Sequence, residues 1–120
     1  MNVRPVVLCF AILAVASSAH AGSWARDLVQ DVTIETGEHF ARIAVGAKSI
    51  TENRPACHDA AYGQHYGFDI STAKGKALLA TATAALLAGK TVQLAGTGTC
   101  IPVRDGMVLE ELATLSLLSK

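Results

Sequence analysis

Two short stretches of the 120-residue chain carry residue types that could do chemistry. In GKTVQLAGTGTC, residues 89–100, Gly89-Lys90-Thr91 looks like the end of a phosphate-binding loop and Gly96-Thr97-Gly98 like half of a dinucleotide fingerprint. In CHDAAYGQHYGF, residues 57–68, His58, Asp59 and His65 are the residue types of a metal site. None of these patterns is complete. A phosphate loop runs G-x-x-x-x-G-K-[ST] after a strand and opens a helix. Here Ala84 stands where the first glycine belongs, inside a helical pattern that precedes a strand. The dinucleotide reading lacks its third glycine and the helix that must follow. A metal site needs three or four ligands at fixed geometry, and three polar residues in an irregular loop do not amount to one. No cofactor is implied.

Catalytic residues are equally hard to assign. No serine stands in a G-x-S-x-G context. Glu110 and Glu111 are sequence neighbours, so on a strand they face opposite sides and cannot cooperate as an acid–base pair. The expectation is a protein that is not an enzyme. Contact chemistry is better served: Tyr62, His65 and Tyr66 are the candidate ligand-binding residues. Tyr62 is one because binding function concentrates on loops held by a scaffold, and His65 and Tyr66 are included because they end the stretch HDAAYGQHY that follows Cys57. Trp24 is a further aromatic candidate in a chain with only 5% aromatic residues, although ordinary packing also accounts for it.

The termini and composition set the context in which such residues act. MNVRPVVLCFAILAVASSAHA has a basic Arg4, an apolar run from about Val6 to Ala16 and an Ala19-His20-Ala21 site. That is the three-part pattern of a signal peptide, residues 1–21, cut after Ala21. The apolar run is too short for a membrane span of about 20 residues. The expectation is a secreted or periplasmic protein, with residues 22–120 as one domain and no membrane insertion after cleavage. Loss of Arg4 leaves nine basic residues against ten acidic ones. A near-neutral chain with no basic cluster argues against nucleic acid, whose binding rests on phosphate neutralisation. Of three cysteines, Cys9 leaves with the leader, and Cys57 and Cys100 remain. In an exported domain such a pair reads as one disulfide, stabilising the fold by roughly 4 kcal/mol on the chain-entropy model. Thiolate metal ligation is the alternative, but it lacks a C-x-x-C or a second pair.

The elements that position these residues are legible from their periods. DLVQDVTIE, residues 27–35, alternates with Leu28, Val32 and Ile34 on one face and Gln30 as the exception, which predicts a strand. Thr36-Gly37-Glu38 is a turn signal. HFARIAVGA follows as a second strand with Ala41, Ile43 and Val45 on one side. Residues 48–64 show no period and predict a long loop, of the kind that is usually functional or disordered. HYGFDIS, residues 65–71, predicts a third strand with Tyr66, Phe68 and Ile70 alternating.

A helix comes next. Ser71 or Thr72 caps it, Gly89 ends it, and Gly75, Leu78, Leu79, Ala82, Ala85 and Leu86 share about 120° of arc. TVQLA predicts a fourth strand, with GTGTC as a turn or bulge at its end. The tail fits both helical and strand periods, and a strand over residues 111–118 is the preferred reading because a sheet needs it.

The chain is therefore mainly β with one helix, in the order β-β-β-α-β-β of an OB-fold-like five-stranded barrel. The segments Gly75-Lys76-Ala77-Leu78, Leu86 to Thr91 and Gly96 to Cys100 resemble small secreted bacterial proteins similar to the B subunit of subtilase cytotoxin. A more distant resemblance is to pentamer-forming toxin B subunits. The matching residues are structural positions covering about a quarter of the chain. The resemblance implies an OB-fold, glycan binding and ring assembly, hence a glycan or protein partner and homo-oligomerisation. Beside this exported binding module stand two alternatives, an assembly protein of the cell envelope and a small metal-binding domain built on His58, Asp59 and His65.

Overall fold

The computed structural model describes residues 22–35, 39–46, 50 and 53–119. The expected signal peptide, the turn at residues 36–38 and part of the long loop lie outside them. The elements are β1 (Trp24–Ile34), β2 (Phe40–Val45), a single 3-10 turn (Ala60–Tyr62), β3 (His65–Asp69), α1 (Ala73–Ala88), β4 (Thr91–Arg104) and β5 (Met107–Leu117). The strands close into a barrel in the order β1-β2-β3-β5-β4. β1 pairs with both β2 and β4, and β3 pairs with β5 in parallel. This is the expected mainly β, OB-fold-like barrel with one helix between its third and fourth strands.

β1 corrects one expectation and shows why. Val29 pairs with Val45 and Val32 with Ile43, and the register shifts between Val29 and Asp31. That bulge adds one residue and switches which parity faces the core. Ala25 and Val29 are buried before it, and Val32 packs on the core after it. Leu28, expected beside Val32 and Ile34, lies on the other face and is 46% exposed. β2 behaves as read, with Ala41, Ile43 and Val45 fully buried.

The helix follows its sequence signals. Thr72 Oγ1 accepts from Gly75 N–H at 2.9 Å, filling one of the amide groups a first turn leaves unpaired. Gly89 closes the other end at φ 62°. Gly75, Leu78, Ala82 and Ala85 are its buried residues, Leu79 packs at the core margin, and Leu86 stays on the surface. Gly75 admits no side chain: a Cβ there would stand 1.6 Å from the Asp69 carbonyl oxygen. The helix thus crosses the end of β3 backbone to backbone, and its stripe joins Tyr66, Phe68, Val92, Leu94 and Leu112 in the main core.

Beyond the barrel proper, β4 and β5 run on as a long hairpin. β4 was expected to end near Ala95, but the pairing continues to Arg104 opposite Met107, and β5 begins at Met107 rather than residue 111. The glycines of GTGTC mark register shifts inside the strand instead of its end. Val103, Met107 and Leu109 form a second apolar cluster with Phe40, Tyr62 and Ile101 at its margin. Cys57 and Cys100 form the expected disulfide, with Cα atoms 6.1 Å apart. Among the described residues no helix is long and apolar enough to cross a membrane.

Candidate functional site

Two places concentrate polar chemistry, one buried and one exposed. The buried one is centred on Glu110 of β5, whose residue surface is 0% exposed, as is that of Ser23 just before β1. Glu110 Oε2 accepts from the backbone N–H groups of Ser23 and Gly98, each at 3.1 Å. Ser23 Oγ donates to Glu110 Oε1 at 2.5 Å and lies 2.6 Å from the Tyr66 hydroxyl. A carboxylate only accepts, so the serine proton goes to Glu110 and the phenol must donate to Ser23. Arg54 completes the cluster. Its Nη1 is 3.5 Å from Glu110 Oε1, Nη2 donates to the Gly63 carbonyl, and its guanidinium lies 4.0 Å over the Tyr66 ring.

His58 ties this cluster to the loop. Glu110 N–H donates to His58 Nδ1 at 2.8 Å, which leaves the ring proton on Nε2, donated to the Tyr62 carbonyl at 2.9 Å. Arg54 Nη1 also approaches Nδ1, at 3.2 Å. Protonating Nδ1 would set two N–H groups against each other. Burial pushes the His58 pKa below the ordinary value, and the Arg54 charge pushes the same way, against the opposing pull of the Tyr62 carbonyl, Glu110 and Asp59. Burial likewise lowers Arg54, held up by Tyr66 and Glu110, and raises the Tyr66 phenol.

Serine, histidine and glutamate meet here, but in the wrong order for nucleophilic catalysis. Ser23 donates to the carboxylate instead of to an imidazole, and no surface of Ser23 is open to a substrate. A triad needs the histidine to take the serine proton. The arrangement instead orders protons and holds chain segments together.

The residues singled out from sequence mostly fall in or beside this node. Tyr66 was expected as a ligand contact. It is fully buried, its ring faces Arg54 and its hydroxyl faces Ser23, so it presents no surface to a ligand. Tyr62 is partly buried against the second apolar cluster and meets the His65 ring edge-on at 5.8 Å. His65 Nε2 lies 3.0 Å from Arg42 Nη1, while its Nδ1 is buried with no hydrogen-bond partner among the described residues. Burial, then the Arg42 charge, depress its pKa. For the metal alternative, both His58 nitrogens are engaged and Asp59 caps the 3-10 turn through Ala61 N–H. Among the described residues no group of three or more His, Cys, Asp or Glu is placed to hold a metal ion. Sequence reasoning missed Glu110 as a buried anchor, and its one available signal was a charged residue in the apolar period of MVLEEL.

The exposed place is the outer face of β1 and β4. Trp24, Arg26 and Leu28 alternate outward opposite Ala95, Gln93 and Thr91. Trp24 is 51% exposed, opposite the small side chain of Ala95. Arg26 Nη2 donates to Gln93 Oε1 at 3.1 Å, and Trp24, Arg26 and Gln93 line a groove of about 420 Å³. A smaller groove of about 300 Å³ runs between the first turn of α1 and β5, lined by Asp69, Thr72, Lys74 and Glu111 over a floor that includes Phe68 and Leu78. No protein-family model, curated protein or solved structure matches the chain.

Proposed function

We propose that the protein is an exported, non-enzymatic binding module, toxin-B-subunit-like, that recognises a glycan on the outer face of β1 and β4. The half-exposed Trp24 beside the Arg26–Gln93 pair carries this reading. An indole gives a broad, rigid apolar face with few torsions to freeze, which suits the C–H face of a sugar ring. Arg26 offers further N–H donors in a fixed fork, suited to paired hydroxyls or a sugar carboxylate. All three residues sit on paired strands, so the site is pre-organised, which lowers the entropy lost on binding. The disulfide supports export, since such bonds persist in oxidising compartments.

Trp24 is the single tryptophan of the chain, so its fluorescence reports this face directly. A glycan array on the protein starting at Gly22 should yield sugars that perturb that emission. Trp24→Ala and Arg26→Ala should each abolish retention while the melting curve stays unchanged. Sugars that bind equally well to both variants would remove the site. Leu28, half-exposed on the same stripe, favours a second reading, a ring-forming or envelope assembly protein that buries this face against another copy. Light scattering distinguishes the two: a defined oligomer with Trp24 emission shifted to the blue supports assembly.

A further inference from the structure

Glu110 sits in the interior with a cation at the margin of contact. Arg54 Nη1 is 3.5 Å away, and both Nη groups of Arg54 also serve the loop, one at His58 Nδ1 and the other at the Gly63 carbonyl. An ionised carboxyl in low dielectric is costly unless it is paired and well hydrogen-bonded. The surroundings of Oε2 show what else reaches it. A Cβ built on Gly22 would lie 2.1 Å from Glu110 Oε2, 2.4 Å from the Gly96 carbonyl oxygen and 2.5 Å from Gly98 N. On Gly96 it would lie 2.0 Å from the same oxygen. Gly22 therefore packs its backbone directly against the carboxyl, in a space closed to any side chain. Its nitrogen is two bonds from that Cβ position, which puts it no more than about 4.6 Å from Oε2 by standard bond lengths. The next residue, Ser23, is bonded to both carboxyl oxygens, and its carbonyl accepts from Gly96 N–H at 2.8 Å.

Gly22 is also the residue that follows Ala19-His20-Ala21. If the leader is cut there, water adds across the Ala21–Gly22 bond. The oxygen goes to the Ala21 carbonyl carbon, and the Gly22 nitrogen becomes an ammonium. We propose that this new amino terminus is a second counter-ion of Glu110, on Oε2, beside Arg54 on Oε1, so that removal of the leader locks the start of β1 onto β5 and fixes Trp24 two residues on. The proposal rests on the export reading and deepens it. Before cleavage the Gly22 nitrogen is a neutral amide with one N–H. Afterwards it carries a full charge and three donors beside a buried carboxylate. Maturation thereby completes the binding face, and the contact itself requires glycine at position 22, since a Cβ there would meet Glu110, Gly96 and Gly98.

The test compares exported protein starting at Gly22, the same protein selectively acetylated on its α-amino group, and a form extended by one residue to Ala21, each in wild-type and Glu110→Gln backgrounds. Melting is followed by Trp24 fluorescence. Acetylation and extension should each lower the wild-type melting temperature by about 5 °C or more and have little effect on Glu110→Gln. The α-amino group, followed by NMR in the wild-type chain alone, should titrate above its ordinary range of about 7.7–8.0, because an opposite charge favours the protonated form. This measurement decides the matter even if Glu110→Gln fails to fold. Free and acetylated wild-type chains that melt together, an equal loss in both backgrounds, or an ordinary α-amino titration would each overturn the docking. A mass showing a terminus other than Gly22 would overturn it through the export reading instead.

Discussion

The barrel is held in two chemically different ways at its two sides. Where α1 crosses β3, contact is backbone against backbone at Gly75, flanked by Leu78, Ala82 and Ala85, and shape and apolar burial supply the stability. Where β1 begins, the same strands are joined by a carboxyl, a serine, a phenol, a guanidinium and an imidazole, with a disulfide nearby. Apolar packing adapts to modest changes of shape. A buried polar network does not, because each member left without its partner retains the full cost of its lost water. The polar side therefore specifies one geometry for the loop and the first strand, and it is the more fragile of the two.

Breaking the polar side at its centre should have the largest effect. Glu110→Ala removes the acceptor for Ser23 and Gly98 and strands the Arg54 charge. A loss toward the upper end of about 3–5 kcal/mol is expected in urea unfolding. A smaller loss than for Gly75→Leu would reverse the ranking of the two sides. Opening the disulfide with Cys57→Ala and Cys100→Ala together should cost about 4 kcal/mol on the loop-entropy model. Limited proteolysis should then cut first within residues 48–64, and cleavage starting elsewhere would show that His58 and Arg54 hold the loop without the bond.

On the apolar side, Gly75→Leu should cost about 3 kcal/mol, the upper end for overpacking, since even a Cβ meets the Asp69 carbonyl. Lys76→Leu, one residue along on the exposed face, should change stability by no more than about 0.5 kcal/mol. Equal losses would mean that the helix is not held by this crossing.

Acidification separates the sides most gently. His58 and His65 both have folded-state pKa values lowered by burial, so the fold binds fewer protons than the unfolded chain. Their contribution is fully present above the ordinary value of 6.5 and is lost as the pH falls from there through the lowered values. Unfolding measured at neutral and at mildly acid pH should show this loss. His58→Asn, which keeps an acceptor for Glu110 N–H but does not titrate, should flatten it in part. An unchanged slope would place the pH sensitivity outside the polar node.

Much of this architecture depends on local rules and is readable without a structure. The 3.6-residue period places the helix stripe, Ser71 or Thr72 and Gly89 bound it, and the cysteine count, with a leader expected over residues 1–21, pairs Cys57 with Cys100. Each of these depends on residues close in sequence or on simple elimination. The β4–β5 hairpin was half legible: its strands were recognised, but their length was not, although Asp105-Gly106 at their junction is a turn pair with Gly106 at φ 76°. The β1 bulge was not legible, because Gln30 interrupts the alternation without showing which half keeps the core face. The candidate site was the least legible part. Ser23 meets Glu110 across 87 residues, and Trp24 lies on the outer face opposite Ala95, a pairing set by the β1–β4 register. Period and composition determined which segments are strands and which is the helix. Register and barrel closure decided that a glutamate would be buried against Gly22 and that a tryptophan would face outward, since both outcomes depend on which distant residue lies opposite.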